Sequence, residues 1–308
     1  MITTTDTAAK TLANIASDDG IFSIIAMDQR NTLRRMFQAV NLEGTDDQLR
    51  DSKAAVARVL TADASGILFD PTFGVPAATE AGAIAPTCGL LVAAEPAERG
   101  AFNGEPRTHR DPALNGRWVL QQGGDAVKFF VQLRADRPQP RSGELDLVAD
   151  VLRVTREVVE DAHNAGVPAV IENLVYPLPG EELTPRQRED AIIEAARALN
   201  DVDGVDLLKL EYPGSIAGTR RLASVLTRPW AVLSAGVPFD QFTEVLQVVF
   251  DEGGASGFIA GRSVWKESIG LAGAERDTFL TDVARPRLHR LVEFSAARAT
   301  PWTSVATP

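Results

Sequence analysis

One cysteine and three histidines in 308 residues leave little from which to build a cross-link or a metal centre. Cys88, standing alone, excludes an internal disulfide framework. His109, His163 and His289 are too widely separated to give a metal-ligand spacing, so neither a metal nor any other cofactor is expected. Basic residues are also in deficit. The net charge of -11 argues against nonspecific nucleic-acid binding, because phosphate backbones attract basic surfaces. It does not argue against a small phosphorylated ligand, which a few local groups hold inside a cleft. No apolar run approaches the roughly 18 residues of a membrane span. The opening Met1-Ile2-Thr3-Thr4-Thr5 lacks the basic stretch and apolar core of a secretory signal, so a cytoplasmic location is expected. Low-complexity tracts and solenoid-length repeats are missing too.

What is present is an ordinary globular composition, 44% apolar and 24% charged, with no linker to divide it. Short β-type runs alternate with helical ones, the pattern of parallel α/β architecture. The strand candidates are Phe22–Met27, Gly66–Phe69, Gly89–Ala94, Ala126–Leu133, Ala169–Leu174, Asp206–Glu211, Trp230–Ser234 and Gly257–Ala260. Between them Leu147, Val151, Val154 and Val158 follow helical spacing, Thr184-Pro185 opens a helix running to Asn200, and another spans Phe239 to Phe250. Eight strand-helix units at this length predict a TIM (β/α)8 barrel. A doubly wound open sheet wants a glycine-rich turn after its first strand, and Met27-Asp28-Gln29-Arg30 has none. Residues 1–308 are therefore expected to form a single barrel domain with a short N-terminal helix. Its tail from Ala299 is loose unless Trp302 finds a groove. Pro96–Leu114 and Pro177–Leu183 are expected as loops on the catalytic face.

Lys209, in Asp206-Leu207-Leu208-Lys209-Leu210-Glu211, places an ammonium group within an apolar strand, where burial favours the neutral amine that attacks carbonyl carbon. Lys128 lies in the similar run Ala126–Leu133, and two inward lysines in one barrel reinforce that effect. The bland alternative is a pair of edge-strand surface lysines. Functional groups of such barrels sit at the carboxyl ends of strands. Here those ends carry Asp28-Gln29-Arg30, Asp70, Glu95, Glu172, Glu211, Ser234-Ala235-Gly236 and Gly261-Arg262. Ser234, Gly236, Gly261 and Arg262 suit a phosphate, against the plainer reading of tight turns and a solvated arginine. Glu172 follows an apolar run, so burial is expected to raise its pKa and fit it for proton transfer. Asp28 suits either a substrate hydroxyl or a lysine, Glu211 suits charge balance, and Asp70 a turn. The three histidines suit surface or cap positions.

Seven ordered blocks resemble the class I tagatose-1,6-bisphosphate aldolase family, including its sulfofructose-1-phosphate aldolase relatives. They are Ala26–Arg30 with Met36-Phe37, Phe69-Asp70-Pro71, Gly123–Lys128, Ile171-Glu172, Asp206–Glu211, Leu233–Val237 and Gly257–Trp265. The resemblance implies reversible, metal-free cleavage of a ketose 1-phosphate to dihydroxyacetone phosphate and an aldehyde. It implies that Lys209 forms the imine, Glu172 is the acid/base, Lys128 the accessory cation, and Asp28 with Gln29 the contact to substrate hydroxyls. Ser234, Gly236, Gly261 and Arg262 would take the 1-phosphate, and a homo-oligomer, dimer or tetramer, is expected. Ile171–Pro177 looks more like the sulfosugar enzymes and Asp70–Gly74 more like the tagatose enzymes. The far end of the substrate is therefore open, with Arg30 and Arg134 as candidates for a second anion or for the surface. Two other readings remain: an isomerase or decarboxylase in which Lys209 is only a charge, and a sugar-phosphate sensor without turnover.

Overall fold

The computed structural model describes residues 9–305. The opening segment from which a cytoplasmic location was expected lies outside them. Eight parallel strands close into a barrel in chain order, with helices between them: Phe22–Met27, Gly66–Phe69, Gly89–Ala93, Ala126–Val131, Ala169–Asn173, Leu207–Leu210, Trp230–Leu233 and Gly257–Ala260. Phe22–Met27 pairs on one side with Gly257–Ala260 and on the other with Gly66–Phe69, which seals the ring. Helix starts follow side-chain caps. Thr45 and Thr184 each form a reciprocal capping box with a glutamine three residues on, and Asp146 accepts from the amides of Val148 and Ala149.

Alternation along the strands builds two separate apolar regions. Phe22, Ile24, Ala26, Leu68, Leu91, Ala126, Val170, Leu207, Ala231 and Ile259 fill the barrel, while Ile25, Met27, Ile67, Phe69 and Val127 pack outward against the helices. The short helical turn Leu12–Ile15 stops the amino-terminal end. A Cβ on Gly89 would lie 2.0 Å from the Asn14 carbonyl oxygen, so only glycine admits this plug. The tail does not run loose over its described part: Trp302 donates its backbone N–H to Gly20 O at 3.0 Å and packs beside the same stopper. Among the described residues no helix is long and apolar enough to cross a membrane.

The segment expected as an open loop after the third strand contains an antiparallel hairpin, Gly100–Phe102 with Glu105–Arg107. Its turn is Asn103-Gly104, both at positive φ, 51° and 81°. Asn-Gly is the two-residue hairpin signal, but flanking strands of three residues each carry no alternation that would mark them in the sequence.

Candidate active site

Parity decides what reaches the barrel mouth. Ala126, Val170 and Leu207 point into the barrel core, so Lys128, Glu172 and Lys209, two residues on, point inward one layer higher. Glu172 and Lys209 are direct register partners on adjacent strands. The result is a polar layer resting on a dry apolar floor.

Within that layer Glu172 bridges both lysines: Oε1 lies 2.9 Å from Lys209 Nζ and Oε2 lies 2.8 Å from Lys128 Nζ. Lys128 also meets Asp28 Oδ2 and Glu95 Oε1, each at 2.8 Å, so three carboxylates surround one ammonium group. The second oxygen of Glu95 accepts from Phe130 N at 3.2 Å, and Asp28 Oδ1 accepts from the Gln29 amide at 3.2 Å. Side-chain exposure is 2% for Lys128 and 4% for Lys209. Glu95, seen in the sequence only as a strand end, is thus a full member of the cluster.

The charges hold one another ionised. Burial works against the ammonium of Lys128, but Asp28, Glu172 and Glu95 outweigh it and raise its pKa well above the usual lysine range. Burial also works against the Asp28 carboxylate, and Lys128 and Lys209 overcome it, leaving Asp28 well below the usual range. The expectation that burial raises Glu172 is corrected. Burial does push it up, but Lys128 and Lys209 pull harder and its pKa is lowered. A carboxylate between two cations rests as the anion.

Asp28, Gln29, Arg30, Lys128, Glu172 and Arg262 line a cavity of about 730 Å³ at the carboxyl end of the barrel. Lys209 does not itself line it and is joined to it through Glu172. Beside Arg262 sits the loop after the seventh strand, where Ala235 and Gly236 both have positive φ, 49° and 82°. A Cβ on Gly236 would stand 3.1 Å from the Arg262 guanidinium carbon, and one on Gly261 only 1.9 Å from Ala26 O. Both glycines therefore allow backbone and arginine to close up. Ser234 Oγ accepts from Gly236 N at 3.4 Å, and Lys266, unnoticed in the sequence, donates to Gly236 O at 3.2 Å.

Three candidates fall elsewhere. Arg134 is buried, and its donors are consumed internally by Asp136, Glu181 and the Tyr176 carbonyl, at 2.6 to 3.1 Å. It is neither on the surface nor open to an anion; it ties down the loop after the fifth strand. Asp70 is ion-paired with the buried Lys53 at 2.6 Å, outside the cavity. Glu211 accepts from Val175 N at 2.7 Å and pairs with Arg188. The cavity instead gains Arg35, Arg99, Arg107 and His109. Arg99 stacks 4.6 Å from the Phe130 ring centroid and donates to Gln132 Oε1 at 3.1 Å. Cys88 is buried, and burial pushes its thiol up to about 12, which leaves it no nucleophile.

Residues 22–267 match the model of the DeoC/LacD family aldolase group. The chain is 28% identical to tagatose 1,6-diphosphate aldolase 2 of Enterococcus faecalis, over 98% of this chain and 97% of that one. It is 30% identical to tagatose 1,6-diphosphate aldolase 2 of Streptococcus agalactiae, over 86% of each. Among solved structures it superposes on a Schiff-base-forming fructose-1,6-bisphosphate aldolase with a TM-score of 0.64 and 18% identity, over 92% of this chain and 100% of that one. An archaeal fructose-1,6-bisphosphate aldolase, solved with its catalytic lysine bound to the carbinolamine intermediate, gives 0.63 and 18% over 93% and 100%.

Proposed function

Because this chain belongs to the DeoC/LacD family of aldolases, we propose that it cleaves a ketose 1-phosphate reversibly to dihydroxyacetone phosphate and an aldehyde through an imine on Lys209. The observation that carries this reading is the single carboxylate of Glu172 shared by two buried lysines, 2.9 Å from one and 2.8 Å from the other. Lys128, pinned as a cation by Asp28, Glu95 and Glu172, has no freedom to act as the nucleophile. Lys209 has Glu172 alone as its ion-pair partner among the described residues, and that partner is the proton acceptor it needs.

In this reading Glu172 Oε1 takes the proton that frees the Lys209 amine, and the amine adds to C2 of the ketose. Glu172 returns the proton to the C2 oxygen, water leaves, and the protonated imine becomes an electron sink. The C3–C4 bond then breaks as a base removes the C4 hydroxyl proton. The aldehyde departs, and the enamine left on Lys209 is protonated at C3 and hydrolysed. Lys128 holds Glu172 and Asp28 in place through the cycle, and Asp28 with Gln29 meets the substrate hydroxyls. Ser234, Gly236, Gly261 and Arg262 hold the 1-phosphate, with Lys266 adding charge behind them.

The far end of the substrate carries a second anion, phosphate or sulfonate. Supporting this, Arg30, Arg35 and Arg99 line the cavity and donate to the Glu95 carbonyl, the Thr32 hydroxyl and the Gln132 amide, none of them a carboxylate. In this reading Arg30 and Arg99 take the second anion, with Arg99 in place of Arg134.

Incubation with dihydroxyacetone phosphate and borohydride should leave a reduced adduct on Lys209, found by peptide mapping. Lys209→Ala should abolish both adduct and cleavage with the fold intact. Binding of dihydroxyacetone phosphate without an adduct points to the isomerase or sensor readings instead.

A further inference from the structure

Three consecutive residues, Asp28, Gln29 and Arg30, line the same cavity. An extended strand cannot present them so, because successive side chains point to opposite faces. The chain must turn as soon as the first barrel strand ends at Met27. Neither glycine nor proline is there to favour the turn, and Arg30 sits at φ -108°, ψ -84°, away from both the helical and the extended regions.

What grips this turn comes from outside the barrel. Lys53, on the helix Asp46–Leu60, donates to the carbonyl oxygens of Met27 and of Gln29, the latter at 2.9 Å. These are the two carbonyls that flank Asp28. The ammonium group also forms an ion pair with Asp70 Oδ1 at 2.6 Å, and both side chains are 0% exposed. Asp70 is itself fixed, because its other oxygen accepts from the amides of Thr72 at 3.0 Å and Phe73 at 2.8 Å. The buried ammonium group is thus committed to one turn by two hydrogen bonds and to one carboxylate by an ion pair. Neither Lys53 nor Asp70 lines the cavity. An apolar residue at position 53 would strip the Gln29 carbonyl of this donor and remove the second hold on the Met27 carbonyl, and the turn would relax.

We infer that the buried Lys53–Asp70 pair is a positioning device: by capturing the carbonyls on either side of Asp28 it aims the Asp28 carboxylate and the Gln29 amide into the cavity. The pair anchors the turn to the second strand, at whose end Asp70 sits, and to the helix that carries Lys53. The consequence for reaction rests on the aldolase reading. Asp28 and Gln29 serve the hydroxyl-bearing half of the ketose, whereas imine formation with dihydroxyacetone phosphate involves only Lys209, Glu172 and the phosphate loops. Lys53 therefore matters for cleavage and hardly at all for imine formation.

The double substitution Lys53→Met with Asp70→Asn tests this, because it removes both charges together and leaves no unpaired buried ion. Asparagine keeps an oxygen for the Thr72 and Phe73 amides. The expected result is a kcat for ketose cleavage lower by about 10- to 100-fold, the usual consequence of misplacing a substrate-contacting group by about 1 Å. Borohydride trapping of dihydroxyacetone phosphate on Lys209 should stay near the wild-type level. A crystal structure of the variant should show Asp28 withdrawn from its 2.8 Å contact with Lys128. Cleavage and trapping reduced in equal proportion, or an undisplaced Asp28, overturns the inference. If the wild-type protein yields no adduct, the aldolase reading fails, and the position of Asp28 in the variant still decides the positioning role.

Discussion

Glu172 shows how a residue's neighbours overrule its burial. Desolvation alone makes a buried carboxyl a weak acid, yet two ammonium groups within 2.9 Å make this one an anion at rest. In the proposed reaction its use as a proton carrier would depend on Lys209 changing state as the imine forms, which is a more specific requirement than a generally raised pKa. Arg262 is the corresponding test of the phosphate end. It stands over Gly236 without a carboxylate partner among the described residues, and a charge-assisted bond to phosphate contributes about 1.5–3 kcal/mol. Arg262→Ala should raise KM for the 1-phosphate substrate by about 10- to 100-fold, with a smaller effect on kcat. Steady-state kinetics with an unchanged KM would move the phosphate elsewhere.

At the scale of elements, the hairpin Gly100–Arg107 is the part of the mouth that the barrel plan does not require. It is fastened by Glu105, which accepts from both arms of Arg137 at 2.8 and 2.9 Å and from the Tyr176 hydroxyl at 3.0 Å. Those partners follow the fourth and fifth strands, so one carboxylate joins three loops. The hairpin brings Pro106 and Arg107 to the cavity, and His109 follows it. Replacing Asn103 and Gly104 together by alanine puts two residues into a turn whose φ angles of 51° and 81° alanine disfavours. KM should rise several-fold and trypsin should cut at Arg99 or Arg107 sooner, while the melting temperature hardly moves because the hairpin adds no strand to the barrel. A large loss of melting temperature would mean the hairpin supports the barrel after all.

The whole molecule is an acidic shell around a charge cluster that is self-neutralising only in part. Asp28 and Glu172 are held below their ordinary values of 3.8 and 4.5, so their contribution to stability is full above those values and lost as pH falls through the lower folded ones. Lys128 is held above its ordinary 10.5, so its contribution is full below that value and lost as pH rises through the higher folded one. The cluster therefore supports the fold across the neutral plateau and fails at both extremes. Lys128→Met would leave three carboxylates facing one another without their central cation, at a cost of about 3–5 kcal/mol near neutrality. That deficit should shrink as pH falls toward 4 and the carboxylates take up protons. Urea midpoints of both proteins across pH 4 to 8 would measure it, and a pH-independent deficit would show that Lys128 acts by packing alone.

The order of strands, the barrel and the inward lysines were determined by the sequence alone, because each rests on a local period. Apolar runs of four to six residues mark the strands, and a step of two carries Ala126 to Lys128, Val170 to Glu172 and Leu207 to Lys209. The glycines at 236 and 261 were legible for the same reason, being demands of local backbone. Only the tertiary structure decided what those side chains meet. Glu95 and Asp28 reach Lys128 from distant points of the chain, and the sign of the Glu172 shift depends on distances that no spacing encodes. Arg134, a candidate for a second anion or for the surface, is enclosed by Glu181 and Asp136, and Lys53, which no local pattern marks, meets Asp70 and two carbonyls. Periodicity chooses the face a side chain takes; the partners that set its charge and its work are chosen by how the chain closes on itself.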